Sequence, residues 1–298
     1  MKYICIDIGG TAIKYGIIDE ALCFTGEGTL PTQAMQGGLH VLEEITSLVH
    51  SLQAMESVAG ICISTTGIVD PENGIIMEAN PALMPSYTGL HIADALTAAS
   101  GLPCSIENDV NCAALAEYFH GAGKNTASSL TLTVGTGIGG AFLLNGRLLS
   151  GHSFSACEIG YMHMEGTSFE ELAAASVLVR RVRMHYPESA DSIDGRWIFD
   201  QAIRCKNEFC INEIQRMCNY LSQGIANLCY TLNPEVVILG GGIMHQKEYL
   251  MPLMEDGLTR ELIAPIRSKT RLAFAENDNN AGMLGAYCNF RMRSSALQ

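Results

Sequence analysis

The chain has 298 residues, 48% of them apolar and only 16% charged, which excludes a disordered protein and leaves room for one large domain or two lobes with sizeable cores. Its 31 acidic and 18 basic side chains give a net charge of -13. So acidic a chain is a poor general binder of nucleic acid, and an anionic substrate would have to be met by backbone N–H groups or a metal ion.

Taken in chain order, Lys2 to Asp7 reads as a buried strand, Ile8-Gly9-Gly10-Thr11 as a turn, and Ala12 to Asp19 as the returning strand. A helix is predicted over about Leu39 to Gln53, where apolar residues recur at Leu39, Leu42, Ile45, Leu48, Val49 and Leu52. Val58 to Ser64 reads as a further buried strand, running into the turn-rich stretch Thr65 to Pro85. Pro103 to Ile106 then leads through Glu107-Asn108-Asp109 into a helix over Val110 to Phe119. The second half repeats this outline: a strand at Ser129 to Val134, a glycine turn over Gly135 to Gly140, and a strand at Ala141 to Leu144 before the tight turn Asn145-Gly146. A long helix over about Ile211 to Leu232 stops before Pro234, and the strand Val236 to Leu239 ends on Gly240-Gly241-Gly242. With no Pro/Ser-rich linker between them, the two strand–glycine–strand units are expected to be two related lobes with a cleft between them.

The 11 cysteines are scattered, and no CxxC pair occurs, so neither a redox pair nor a typical zinc knuckle is indicated. Cys5, Cys62, Cys112 and Cys229 lie in apolar runs, where cysteine acts as a small hydrophobe. The N-terminus lacks the apolar core of a signal peptide, and no apolar run approaches the roughly 20 residues of a membrane span. These features lead to the expectation of a soluble cytoplasmic protein with neither a membrane nor a nucleic-acid partner.

Gly135, Gly137 and Gly140 fit the dinucleotide pattern G-x-G-x-x-G. That fold needs a helix to begin at the third glycine. Here Ala141 to Leu144 reads as a strand, so the pattern is rejected, and no P-loop is present. What remains is two glycine hairpins, each with a threonine: Gly9-Gly10-Thr11 and Gly135-Thr136-Gly137. Successive N–H groups of such turns can cradle an anion. Either loop alone reads equally as an ordinary tight turn; two of them plus a third glycine triplet point to phosphate binding.

These segments together resemble the ROK family (repressors, open reading frames and kinases) of the actin-like ATPase superfamily. Asp7-Ile8-Gly9-Gly10-Thr11 is similar to its first phosphate loop, Glu107-Asn108-Asp109-Val110-Asn111 to its catalytic motif, Thr133 to Gly140 to its second phosphate loop, and Gly240-Gly241-Gly242 to its adenosine site. The resemblance implies a two-lobed, ribonuclease-H-like α/β fold with mixed sheets flanked by helices. It places residues 1–118 in a smaller N-terminal lobe completed by a last helix over 281–298, and residues 119–280 in a larger C-terminal lobe. It implies an ATP- and Mg²⁺-dependent kinase for a small sugar and, as is common in the family, a homodimer.

By the same resemblance, Asp109 is the base that takes the proton from the sugar hydroxyl; read from the residues alone, it is equally a cap for the following helix. Gly67, Asn80, Asn108, Glu158 and Glu170 contact sugar hydroxyls, with Glu171 an alternative to Glu170. Asp7 holds Mg²⁺ through water, and Lys14 is read either as a phosphate contact or as a solvated hairpin lysine. The sequence departs from the family at Glu158-Ile159-Gly160-Tyr161, where most members have E-x-G-H followed by zinc-binding cysteines. Met162 to Ser176 holds no cysteine, and His163 alone cannot make a four-ligand zinc site. The expectation is no structural zinc, and a similarity to the subgroup that includes bacterial β-glucoside kinases. A sugar-sensing repressor or a non-catalytic sugar-binding protein is the alternative within the family. The repressor reading is disfavoured by the acidic charge and by a first loop at the start of the sequence, where repressors carry a helix-turn-helix.

Overall fold

The computed structural model describes the backbone of residues 1–296 and side chains through Ser294; Leu297 and Gln298, the end of the expected last helix, lie outside the described residues. The chain divides into two compact units. One comprises Met1–His120, Leu148–Ala156 and the chain from Asn279 onward, the other Gly121–Arg147 and Cys157–Asp278. Residues 148–156, expected in the second lobe, thus group with the first unit.

The first unit opens with β1 (Lys2–Ile8), β2 (Ala12–Asp19) and β3 (Phe24–Pro31), followed by α1 (Gly38–Met55), β4 (Ile61–Thr65), the small hairpin β5 (Ile68–Asp70) and β6 (Ile75–Glu78), α2 (Ile92–Ser100), β7 (Cys104–Asn108) and α3 (Asp109–His120). Its sheet runs β3-β2-β1-β4-β7. The first three strands are antiparallel neighbours, and β4 and β7 add on parallel to β1. Side chains alternate across a strand, so β1 serves two cores at once. Ile4, Ile6 and Ile8 pack with Ile45, Val49 and Leu52 of α1 and with Leu96 of α2, while Tyr3 and Cys5 face the other way.

The second unit holds β8 (Ser128–Val134), β9 (Ile138–Leu144), the edge strand β10 (Arg147–Leu148), the short pair β11 (His163–Met164) and β12 (Thr167–Ser168), α4 (Phe169–Ala173), α5 (Ala175–His185), α6 (Gly195–Ile203), α7 (Glu208–Leu232), β13 (Val236–Gly240), α8 (Lys247–Glu261), α9 (Ala264–Arg267) and β14 (Arg271–Phe274). Its sheet runs β10-β9-β8-β13-β14, with β8 and β9 antiparallel and β8, β13 and β14 parallel. The succession β9-β8-β13-β14 repeats β2-β1-β4-β7 in topology. Leu130, Leu132 and Val134 of β8 pack with Leu221 and Ile225 of α7 and with Phe169 of α4. The chain then returns to the first unit with α10 (Ala281–Ala296), whose Met283, Tyr287 and Phe290 cover Tyr3, Cys5 and Cys62.

Three boundaries differ from expectation for identifiable reasons. The strand expected from Val58 starts only at Ile61, beyond Gly60, whose missing side chain makes room for the Phe290 ring. The long helix starts at Glu208 and not at Ile211, because the Asn207 side chain accepts a hydrogen bond from Cys210 N at 3.0 Å and caps it. The second glycine loop is shorter than expected. The β8–β9 ladder closes at the pair Val134 and Ile138, so Gly139 and Gly140 belong to β9 and only residues 135–137 turn. Among the described residues, no helix is long and apolar enough to cross a membrane.

Candidate active site

The sequence-predicted residues fall into two groups, one in each unit. In the first unit, Asn108 ends β7 and Asp109 begins α3. The helix cap considered for Asp109 belongs to its neighbour: Asn108 Oδ1 accepts from the backbone N–H groups of Val110 and Asn111, at 2.9 and 3.1 Å. The other end of the same amide, Nδ2, donates to Gly67 O at 2.9 Å and to Asp109 Oδ1 at 3.1 Å. Val110 N also donates to Asp109 Oδ1 at 2.9 Å. A helix N-terminus and N–H donors of this kind are a favourable setting for a carboxylate.

Sequence reasoning missed what lies under this turn. Glu107 is 3% exposed, and its Oε1 accepts from Asn108 N at 2.8 Å and from Asn111 Nδ2 at 3.0 Å. Burial raises its carboxyl above the ordinary value, partly offset by those two donors. Tyr87, fully buried, shares a 2.7 Å hydrogen bond with the Thr65 hydroxyl. Burial pushes its phenol upward, and the nearby Asp109 charge adds to the effect. No motif marks Tyr87, which sits in the turn-rich stretch. Gly67 lies against Glu78 and Ala79 with φ +97°, a conformation suited to glycine. The next residue, Asn80, is exposed and its Oδ1 accepts from Ala82 N at 2.9 Å.

Asp7 is placed by strand register opposite Ser64 on β4 and Lys14 on β2. Ser64 Oγ donates to Asp7 Oδ1 at 2.6 Å. Burial raises the Asp7 carboxyl, while Ser64 and the Lys14 charge pull it down. A carboxylate in that state gains from any further cation. Gly282 of α10 approaches so closely that an added Cβ would stand 2.5 to 2.7 Å from the Asp7 carboxyl atoms. Lys14 itself reaches Asn279 O at 3.3 Å.

The two glycine loops are braced alike. In the first, the Thr32 hydroxyl donates to Gly9 O at 2.6 Å and Thr32 N to Thr11 O at 3.0 Å. In the second, Ser176 N donates to Gly135 O at 3.2 Å and Ser176 Oγ to Thr136 O at 2.5 Å. The N–H groups of Gly9 and Gly135 close their own turns, donating to Ala12 O and Gly137 O at 3.0 Å, so an anion would be met by the N–H groups of the residues that follow them. A Cβ at Gly10, Gly135 or Gly242 would meet no atom within 4 Å, so these backbones are open to a ligand. Gly241, at φ +104°, is packed against Val134. That contact brings the triplet Gly240-Gly241-Gly242 beside the Gly135 loop at the carboxyl ends of β8 and β13, where open α/β sheets bind ligands.

Also in the second unit, Glu158 and Glu170 come together. Desolvation raises the Glu158 carboxyl above its ordinary value, and the Glu170 charge adds to it. Glu170 Oε2 accepts from Ile138 N at 3.4 Å and occupies the space where a Cβ on Gly137 would stand. Glu171 turns away into an ion pair with Arg180 at 2.7 Å, so Glu170 is the one of the two that lies at the glycine loop. Tyr161 is 68% exposed and its N–H donates to Glu158 O at 3.3 Å. His163 is exposed on β11, and among the described residues no three His, Cys, Asp or Glu side chains form a group able to hold a metal ion.

The comparisons with known proteins agree on one family. The model of the ROK family matches residues 3–292. The chain is 45% identical to an uncharacterized protein of Clostridium perfringens, with 96% of each chain covered. It is 31% identical to the β-glucoside kinase of Klebsiella pneumoniae, covering 97% of this chain and 96% of that one. Among solved structures, a ROK family glucokinase from Streptomyces griseus, in complex with glucose and AMPPNP, superposes with a TM-score of 0.83 at 25% identity, covering 96% and 98% of the two chains. With its paired sheets, braced glycine loops and Asn-Asp turn, the chain belongs to the ROK family, related to β-glucoside kinase and glucokinase, and has the actin-like α/β fold of the sugar kinases in it.

Proposed function

We propose that the protein transfers the γ-phosphoryl group of ATP to a hydroxyl of a small sugar, with Asp109 as the general base. The observation that carries this reading is the Asn108–Asp109 turn, in which a carboxylate is fixed at a helix start by an amide tethered to Gly67. Phosphoryl transfer asks a protein mainly for positioning and charge neutralisation. Asp109 takes the proton as the hydroxyl oxygen bonds to the γ-phosphorus, and the bond from that phosphorus to the bridging oxygen breaks to release ADP. Gly67, Asn80, Asn108, Glu158 and Glu170 are assigned to the sugar. Gly9, Gly10, Thr11, Gly135, Thr136 and Gly137 are assigned to the phosphates, and Gly240, Gly241 and Gly242 to the adenosine. Asp7 would hold Mg²⁺ through water; bound with ATP, the ion would neutralise charge on the phosphates. ADP release measured across a panel of sugars tests the reading, and no sugar-dependent ADP release from any of them would overturn it in favour of a sensor or binding protein.

The substrate assigned is a glucose unit phosphorylated at its 6-hydroxyl, either free or as the non-reducing end of a β-linked disaccharide. Two observations favour the disaccharide: the exposed Tyr161 ring three residues after Glu158, an aromatic face able to stack on a second sugar, and the 31% identity to a β-glucoside kinase. The measurement is kcat/KM for cellobiose against glucose. A ratio below about 0.01, a loss of about 2.7 kcal/mol in transition-state binding, would favour a glucokinase.

A further inference from the structure

One cavity of the first unit lies apart from all the residues assigned above. It has a volume of about 520 Å³, within the range of ligand sites. It opens beside Cys104 and Ser105, at the end of β7 opposite the Asn108–Asp109 turn. The two ends of that strand are roughly 13 Å apart by strand rise.

Two groups in it lack partners. Ser105 is 8% exposed, and its Oγ is buried with no hydrogen-bond partner among the described residues. Arg293, in the last turn of α10, lines the cavity together with Phe290, one turn earlier. A guanidinium carries five N–H donors in a planar fork. Among the described residues its side chain enters no hydrogen bond or ion pair. Its charge does reach the buried carboxyls of Glu107 and Asp70 and favours their ionised forms. Those carboxyls are engaged elsewhere, Glu107 with Asn108 and Asn111, and Asp70 with Glu72 N, Asn73 N and Asn73 Nδ2. An unpartnered fork beside the unpartnered Ser105 hydroxyl, with Ser294 nearby but donating to Phe290 O at 2.9 Å, is a site for a tetrahedral oxyanion, which offers more acceptors than a carboxylate. The remaining wall is apolar at Ile75, Pro103 and Phe290, carries the carboxylates of Glu72 and Asp94, the latter 3.7 Å from His91 Nδ1, and offers further hydroxyl partners at Asn73 and Thr97. That combination suits a ligand with one anionic end and a polyol body.

We propose that this cavity is a second small-molecule site, which binds a phosphorylated sugar with its phosphate on Arg293 and Ser105. The choice of a sugar as the polyol rests on the sugar-kinase reading, because a phosphorylated sugar is the product class of that reaction. Bound here, it would occupy a place remote from the catalytic turn.

Titration calorimetry on the full chain without nucleotide tests this, with glucose 6-phosphate, inorganic phosphate and glucose as separate probes. Glucose 6-phosphate should show a binding component that weakens at least tenfold in Arg293→Gln, as expected for loss of a charge-assisted pair. The same component should disappear in Thr97→Trp, which fills the cavity from an exposed position of α2 and leaves Arg293 in place. Inorganic phosphate should bind this component more weakly, and glucose should not reproduce it. An isotherm unchanged in both variants overturns the proposal. Equal Arg293-dependent binding of inorganic phosphate overturns it as well, as an adventitious ion only; so does equal binding of glucose. No turnover is involved, so failure of the kinase reading in the ADP assay and failure of this site are separate results.

Discussion

The Asn108–Asp109 turn and the Glu158–Glu170 pair are both built from carboxylates, yet the protein treats them in opposite ways. At the turn, the protein itself supplies the partners: two donors to Asp109 Oδ1, a cap for α3, and a tether to Gly67. The pair consists of like charges, with Glu158 raised by desolvation and by its neighbour. One arrangement is complete before any ligand arrives, as suits a group that must be positioned for chemistry. The other gains from hydroxyl donors that the protein does not itself provide, as suits a binding surface. Positioning should therefore govern kcat in the first region, and ligand affinity should respond in the second.

The sharpest way to break this contrast is Asp109→Asn. The amide keeps the shape, so sugar binding should change little, while kcat should fall roughly 10²–10⁴-fold, the usual contribution of a positioned base. A near-normal kcat would leave the turn with no chemical role. Asn108 separates capping from tethering. Asn108→Ala should cost about 1 kcal/mol of stability through the lost cap and lower kcat as Asp109 loses its tether. Asn108→Asp keeps a good cap acceptor but sets an acceptor oxygen against Gly67 O and Asp109 Oδ1, so its Tm should fall through that repulsion although the cap is kept, and kcat should fall by about tenfold or more through misplacement. If Asn108→Asp retained full kcat, the link to Gly67 would be structural decoration only.

How much of this was readable beforehand follows from where the signals lie. Both strand–glycine–strand units and the helix after Asp109 were carried by local apolar runs and by glycines, and they appear in the fold nearly at the expected residues. The residue pattern predicts no strand at β3, because Phe24-Thr25-Gly26-Glu27-Gly28-Thr29 has no buried alternation and forms an edge strand held by pairing with β2. Asn and Asp are equally good caps, so one residue of register decides between Asn108 and Asp109, and the local pattern does not encode it. Glu107, Thr65–Tyr87, Thr32 and Ser176 support the site through contacts between distant segments, which no local spacing encodes. The position of Glu170 relative to Glu171 likewise depends on the ion pair to Arg180.

A smaller effect is expected at Glu158. A carboxyl whose folded value is raised contributes stability that is fully present below its unfolded value, about 4.3 for Glu, and is lost as pH rises through the folded value. At neutral pH the ionised Glu158 beside Glu170 is therefore a cost. Glu158→Gln should raise Tm at pH 7 to 8, and that gain should vanish as the pH is brought toward 4. Binding runs the other way. Hydroxyls donate to the ionised form, so Glu158→Gln should raise the sugar KM, by roughly tenfold for one charge-assisted hydrogen bond. In the parent, KM should climb on acidification at a higher pH than an ordinary glutamate would give, and this dependence should be absent from the variant. A Tm lowered at neutral pH together with an unchanged KM would mean that the pair is structural.

The smallest effects should come from two glycines of one loop, and they test whether the carboxylate pair and the phosphate loop are separate devices. A methyl group on Gly137 would overlap Glu170 Oε2, whereas one on Gly135 would meet nothing within 4 Å. The overlapping atom is the far end of a flexible side chain, which can swing aside at little expense to folding. Gly137→Ala should thus lower Tm only slightly and yet raise the sugar KM several-fold, because Glu170 is pushed off its place beside Glu158. Gly135→Ala should leave Tm and the sugar KM within about twofold of the parent. It should act instead on the ATP KM, since a Cβ there projects into the space through which a phosphate would approach the backbone. Sugar and ATP constants measured for both variants decide the matter. Parallel changes in the sugar KM would show that the loop responds as one body and that Glu170 is not specifically coupled to Gly137. A change confined to the sugar in one variant and to ATP in the other would assign the two ends of a three-residue turn to different ligands.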